Sequence, residues 1–117
     1  MMNGLTFDAY HVDAQRTSNT DTPRDKLVNG ALGLAGECGE CCDALKKYLY
    51  QGHSLDPWAL AKEIGDVLWY CAEIASGIGL SLEVVAKMNI EKRAERYPNG
   101  FEAERSIHRP EYGEVLK

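Results

Sequence analysis

Apolar residues recur along most of this chain at steps of three and four, the period of a helix that buries one face. The longest series is Leu27, Ala31, Leu34, Cys38, Cys41, Leu45 and Leu49, and after a break Leu60, Ile64, Val67, Cys71, Ile74 and Ile78. No strand-like alternation of useful length, no repeat and no low-complexity tract interrupts this pattern. The punctuation agrees with it. Thr6 is a candidate cap for a first helix running to about Arg16, with Phe7, Tyr10 and Ala14 on one side. A polar loop, Thr17 to Thr22, leads to Pro23, which suits the first position of a long second helix capped by Thr22 or Asp21, with Gly52 beyond its end. Asp56-Pro57 opens a third helix that Gly77 to Gly79 closes. Ser81 can cap a fourth, which Pro98-Asn99-Gly100 stops after about Tyr97. The expectation is an all-α, four-helix bundle-like domain over residues 1–101. Residues 102–117 read as an irregular tail, Arg109-Pro110 arguing against a further helix.

The polar positions carry the chemistry. Glu37-x-x-Glu40 and Glu63-x-x-Asp66 are two pairs of carboxylates, each three apart and therefore on one helix face. Alone, each pair reads as a solvated charge stripe. Both, however, adjoin apolar seams, and the connection Lys46 to Pro57 lets their helices form an antiparallel hairpin. Four carboxylates would then converge, and like charges so crowded need a cation to stay ionised together. Oxygen donors without His or Cys at these positions favour a hard ion such as Mg²⁺. Glycine adds a second hint. Gly30, Gly33, Gly36 and Gly39 each cost about 1 kcal/mol of helix propensity relative to alanine, which points to a close approach by another backbone or a ligand, or else to a kink.

The fourth helix supplies the opposite charge. Asn89, Lys92, Arg93 and Arg96 share a face, which farther back carries Leu82 and Val85. A face that begins apolar and ends in cations suits an anionic pocket, where Arg and Lys bind phosphate oxygens and contribute little to folding. The plainer reading is a basic stripe balanced by Glu91 and Glu95. A di-iron carboxylate bundle is excluded, because it needs Glu-x-x-His pairs and none of His11, His53 and His108 stands three residues after a glutamate.

Composition narrows the classes further. A chain of 117 residues with 44% hydrophobic and 26% charged content is one ordinary globular domain. Its net charge of −5 argues against binding a nucleic acid polymer. No apolar run of membrane-spanning length and no signal peptide are present, so no membrane partner and a cytoplasmic location are expected. Cys38-x-x-Cys41 raises zinc or redox chemistry but lacks a second such pair or a βαβ setting. Cys38, Cys41 and Cys71 lie on the apolar stripes, and these three with Cys42 are expected to pack in the core as small hydrophobes.

Taken in order, Gly36-Glu37-Cys38-Gly39-Glu40, Glu63-Ile64-Gly65-Asp66-Val67-Leu68-Trp69-Tyr70 and Asn89-x-x-Lys92 leading to Arg96-Tyr97-Pro98 resemble the MazG-like nucleoside triphosphate pyrophosphohydrolases. The resemblance covers about residues 5 to 101, and Gln15-Arg16-Thr17 looks like the end of the first helix in small single-domain members. It implies an all-α fold shared with dimeric dUTPases, a homodimer or homotetramer, use of Mg²⁺, and hydrolysis of nucleoside triphosphates to monophosphate and pyrophosphate. By position it implies Glu37, Glu40, Glu63 and Asp66 as metal ligands, and Tyr70, Asn89, Lys92 and Arg96 as residues of the nucleotide pocket. The interleaved cysteines are not part of the family pattern. Glu37 or Glu40 is the candidate to orient the attacking water, and Lys92, Arg93 and Arg96 to hold the phosphate chain. Trp58, Trp69 and Tyr70 are candidates to stack on the base, with core packing the plainer role for the two tryptophans. The alternatives are a non-catalytic helical module that binds nucleotide or a partner, and a narrow dUTPase-like or dCTPase-like specialist.

Overall fold

A computed structural model describes residues 4–109. The part of the expected tail from 110 to 117 lies outside the described residues. The described residues form five helices and no strand: α1 (Phe7–Gln15), α2 (Pro23–Tyr50), α3 (Pro57–Gly77), α4 (Leu82–Arg96) and α5 (Ala103–Ile107). The fold is all-α, as the period of the apolar residues requires. Three of the caps read from the sequence form as side-chain hydrogen bonds to first-turn N–H groups. Thr6 accepts from Ala9, Thr22 from Asp25, and Asp56 from Trp58 and Ala59. Pro23 and Pro57 take the first helical positions, where no N–H is needed. The fifth helix was not expected. It is a short helical segment before Arg109, started at Glu102 without a side-chain cap, so no cap signal marks it.

Two compact units divide the chain, one running to Glu83 and one from Val84. In the first, α2 and α3 pack antiparallel. A Cβ on Gly30 would meet the Ile74 backbone nitrogen at 3.1 Å and the Tyr70 carbonyl at 3.3 Å, and one on Gly33 would collide with the Tyr70 ring. The close approach that the glycines implied is thus made by α3, at Gly30 and Gly33; Gly36 and Gly39 face open space. This differs in part from the expected seam. Leu27 packs on Gly77 of α3, and Leu34 and Cys41 are half-buried, but the row that meets α3 also includes Gly30, Gly33 and Glu37, and Ala31, Cys38, Leu45 and Leu49 on the apolar stripe are exposed. Small residues let two backbones come closer than a leucine row does, and that nearness selects the face. The cysteine expectation changes with it: all four thiols are free, Cys41 and Cys71 are half-buried, and Cys38 and Cys42 are exposed.

The α1 helix covers a different face of α3. Ala14, Ala72 and Leu82 form the buried cluster, with Tyr10, Trp69 and Cys71 packed against it. The start of α4 is tied here too, because His11 Nδ1 accepts the Leu82 N–H at 2.9 Å while Nε2 lies 2.7 Å from Ser76 Oγ. An Nδ1 that accepts leaves the proton on Nε2, which donates to the serine.

Among the described residues of this unit, one charged group has no exposure at all, Glu73. Its Oε1 accepts from Gln15 Nε2 at 3.0 Å and Ser18 Oγ at 2.8 Å; its Oε2 accepts from Thr20 Oγ1 and Asn29 Nδ2, both at 2.9 Å. Lys26 Nζ stands 3.6 Å away and donates to Gln15, Ser18 and Thr20. All four carboxylate lone-pair directions are therefore used. Burial works to raise the pKa, but hydrogen bonds from Gln15, Asn29, Ser18 and Thr20 prevail and hold it at about 2.

Candidate metal centre

Where α2 and α3 are pressed together by Gly33 and Tyr70, the next turn along α2 presents Glu37 and the preceding turns of α3 present Asp66 and Glu63. One carboxylate oxygen from each of these three residues falls within 4.8 Å of the others. Glu37 and Glu63 are half-buried and Asp66 is exposed, so the cluster sits at the rim of the helix pair, open to solvent. Its electrostatics are self-opposing. The hydrogen bond to Glu63 is the largest influence raising the Glu37 pKa, followed by desolvation and by the fields of Asp66, Glu63 and Glu40. A hydrogen bond between two carboxyl groups requires a shared proton. A divalent cation relieves the same repulsion, and three oxygen donors suit a hard ion. The residues present therefore fit such an ion.

Of the four expected ligands, the structure groups Glu37, Glu63 and Asp66. Glu40 stands one turn along α2, exposed, and acts on the group through its field on Glu37. It also lines, with Glu63, a cleft of about 260 Å³ whose other walls include Lys47, His53 and Asp56. Asp43 in the same cleft is already engaged by Lys47 at 2.8 Å and Lys46 at 3.4 Å, and the Lys47 contact lowers its pKa, so it is not a spare ligand.

Tyr70 stands one turn beyond Asp66, half-buried, edge-on to Trp69 with ring centroids 5.1 Å apart. The two tryptophans separate in role. Trp69 is half-buried and donates to Thr17 Oγ1 at 2.9 Å, whereas Trp58 is 81% exposed and packs in no core. Asn89, Lys92, Arg93 and Arg96 belong to the second unit. There Arg93 Nε donates to Asn89 Oδ1 at 2.9 Å, as their shared face requires. Arg96 is half-buried, its guanidinium 5.7 Å from the centre of the Tyr97 ring, and so is not the purely solvent-facing cation that the spacing suggested. Tyr97 is held in turn by a hydrogen bond from Ser106, the main influence lowering its pKa, and by Phe101 at 5.3 Å between ring centroids. The α5 helix thus docks its Ser106 on the end of α4.

Glu73 is the group near the centre that no sequence motif singles out. The signal available was position: Glu63, Asp66, Tyr70 and Glu73 continue one row of α3 from the rim into the interior. Nothing in the sequence marks where along that row solvent ends.

The model of the MazG nucleotide pyrophosphohydrolase domain matches residues 29–101, which include all four carboxylates and the cation face of α4. A curated relative, the Gene 37 protein of Mycobacterium phage L5, is 33% identical over 104 residues, spanning 77% of this chain and 91% of that protein. No solved structure matches. With a family match over most of the chain and a carboxylate cluster at the expected helix pair, the protein belongs to the MazG nucleotide pyrophosphohydrolase domain family.

Proposed function

We propose that this protein is a Mg²⁺-dependent enzyme that hydrolyses (deoxy)nucleoside triphosphates to the monophosphate and pyrophosphate. The observation that carries the reading is the meeting of Glu37, Glu63 and Asp66 from two helices within 4.8 Å. Those three residues would hold the ion, with Glu40 beside them. When bound, Mg²⁺ neutralises phosphate charge and lowers the pKa of a coordinated water. The chain's own contributions are separable. Glu37 or Glu40 accepts a hydrogen bond from the attacking water and orients it. Lys92, Arg93 and Arg96 bind phosphate oxygens by charge-assisted hydrogen bonds, Asn89 fixes Arg93, and Tyr70 borders the nucleotide. No single helix among the described residues is long and apolar enough to cross a membrane. The test is a screen of common and modified deoxynucleoside triphosphates with and without Mg²⁺. Turnover confined to dUTP or dCTP would identify a narrow specialist. Mg²⁺ binding without any turnover would favour the non-catalytic module and reject the enzyme.

The α4 cations lead to a kinetic expectation. A charge-assisted contact to phosphate is worth roughly 1.5–3 kcal/mol, so Arg96→Ala should lower kcat/KM about tenfold to a hundredfold. Loss of its contact with Tyr97 should also cost about 1 kcal/mol of stability. Steady-state kinetics and thermal melts measure both; unchanged kcat/KM would return this face to a structural role.

Assembly is the other part of the proposal. Within the first unit α2 leaves Leu32 71% and Leu49 62% exposed, beside exposed Val28 and Leu45. Exposed apolar pairs of this kind suit an interface, and a homodimer or homotetramer with two-fold symmetry would cover them. Sedimentation should find the oligomer at micromolar concentration, and a stable monomer would contradict it.

A further inference from the structure

The Glu73 network joins four pieces of chain: Gln15 from the end of α1, Ser18 and Thr20 from the connecting loop, Lys26 and Asn29 from α2, and Glu73 itself from α3. The candidate ligands are split between two of those pieces, Glu37 on α2 and Glu63 with Asp66 on α3. Their oxygens converge only at one register of the α2–α3 pair. Near the middle of that seam the contacts are made by glycine, which keys a neighbouring helix weakly apart from the Tyr70 ring against Gly33. Apart from the proton-sharing contact of Glu37 with Glu63 at the rim, the directional side-chain contacts across it among the described residues are those of Asn29 and Lys26 with Glu73. They stand close by in sequence: Asn29, Gly33 and Glu37 follow at steps of four, and Glu73, Tyr70 and Asp66 at steps of three and four. The two clusters are therefore about 10 Å apart along the same helix pair, with Gly33 and Tyr70 packed between them.

We propose that Glu73 is a positioning residue for the metal centre, its buried hydrogen bonds to Asn29 and the α1–α2 loop fixing the register that brings Glu37 to Glu63 and Asp66. The proposal rests on the metal-binding reading above. A slip of α2 along α3 would leave Glu73 buried without its donors, a state far costlier than any loss at the exposed rim. The network therefore holds the ligands in place before any ion arrives.

The experiment titrates Mn²⁺, followed by electron paramagnetic resonance, into the full chain well below its melting temperature. Wild type is compared with Asn29→Ala, Glu73→Gln and Leu82→Ala. Leu82 is buried against Ala14 and Ala72, so its truncation lowers stability without touching the network. Asn29→Ala and Glu73→Gln are expected to weaken Mn²⁺ binding about tenfold, a loss of the size seen when groups supporting metal ligands are removed. Leu82→Ala should lower Tm and leave Mn²⁺ affinity unchanged. Activity of the two network variants should recover in part at high Mn²⁺. If Glu73→Gln does not fold, Asn29→Ala decides, since it keeps the carboxylate and removes one donor. Wild-type affinity in a folded network variant, or an equal loss in Leu82→Ala, overturns the assignment. Wild type that binds no Mn²⁺ overturns the metal-binding reading and the assignment together.

Discussion

Replacing Glu63 with glutamine is expected to abolish triphosphate hydrolysis while leaving the helical fold intact. Glu63 sits at the centre of the carboxylate group, sharing a hydrogen bond with Glu37 and lying with Asp66 on the facing helix. Glutamine removes the negative charge and replaces one of the two oxygens by an amide nitrogen, which weakens the hold on the ion and with it a large part of the charge stabilisation that a metal would supply. That is worth about 4 kcal/mol, or roughly a thousandfold in rate. The ion-free protein should respond in the opposite sense. The same hydrogen bond and the same crowding raise the Glu37 pKa, and a neutral glutamine can donate to Glu37 without opposing its charge. Glu63→Gln should therefore melt higher than wild type in the absence of metal and gain less from added Mg²⁺. Circular dichroism melts with and without Mg²⁺, beside a turnover assay, measure the three effects. Near wild-type turnover would remove Glu63 from the centre.

Acid should unfold this protein largely through Glu73. The group titrates at about 2 in the folded chain against 4.5 for an ordinary glutamate. A folded pKa below the unfolded one means stability that is fully present above about pH 4.5 and is lost as pH falls toward 2. The size is on the order of 3 kcal/mol, a large share of the stability of a domain this small. Glu37 works against it. Its raised pKa means that protonation relieves repulsion in the folded state, so its contribution to stability grows as pH falls. Comparison with Glu73→Gln isolates the buried group. That variant should be less stable at neutral pH, and the gap should close between about pH 4.5 and 2. Chemical denaturation across that range reads it directly; parallel profiles for the two proteins would show that Glu73 is not held as an anion.

Much of the fold was legible because local chemistry decides it. Thr6, Thr22 and Asp56 can cap only where a helix starts, and Pro23 and Pro57 fit only its first turn. The spacing of Glu37 with Glu40 and of Glu63 with Asp66 also put the acidic residues on rows that face each other. What the period of the apolar residues does not carry is which face meets which neighbour. Leu45 and Leu49 lie on the regular stripe and are exposed, while Gly30, off that stripe, is buried against α3. A leucine row serves equally for a core or for a second chain, and only the packed helix pair separates the two. Glu73 was missed for a related reason. A glutamate on a polar row reads as solvated, and its burial depends on Gln15, Ser18, Thr20 and Asn29, none of which bears a local mark of a partner 44 to 58 residues away. Of the two roles given to Trp58, core packing does not hold, because aromatic character predicts burial only on average and Trp58 stands 81% exposed in the first turn of α3.

On the proposed function, these carboxylates serve the cleavage of a nucleoside triphosphate between its α and β phosphates. Phosphorus-31 nuclear magnetic resonance of the purified protein with Mg²⁺ and an accepted triphosphate tests it most directly. Monophosphate and pyrophosphate should appear in equal amounts, with no orthophosphate and with no products when Glu63→Gln is substituted. Diphosphate with orthophosphate, or products that persist in Glu63→Gln, would contradict it.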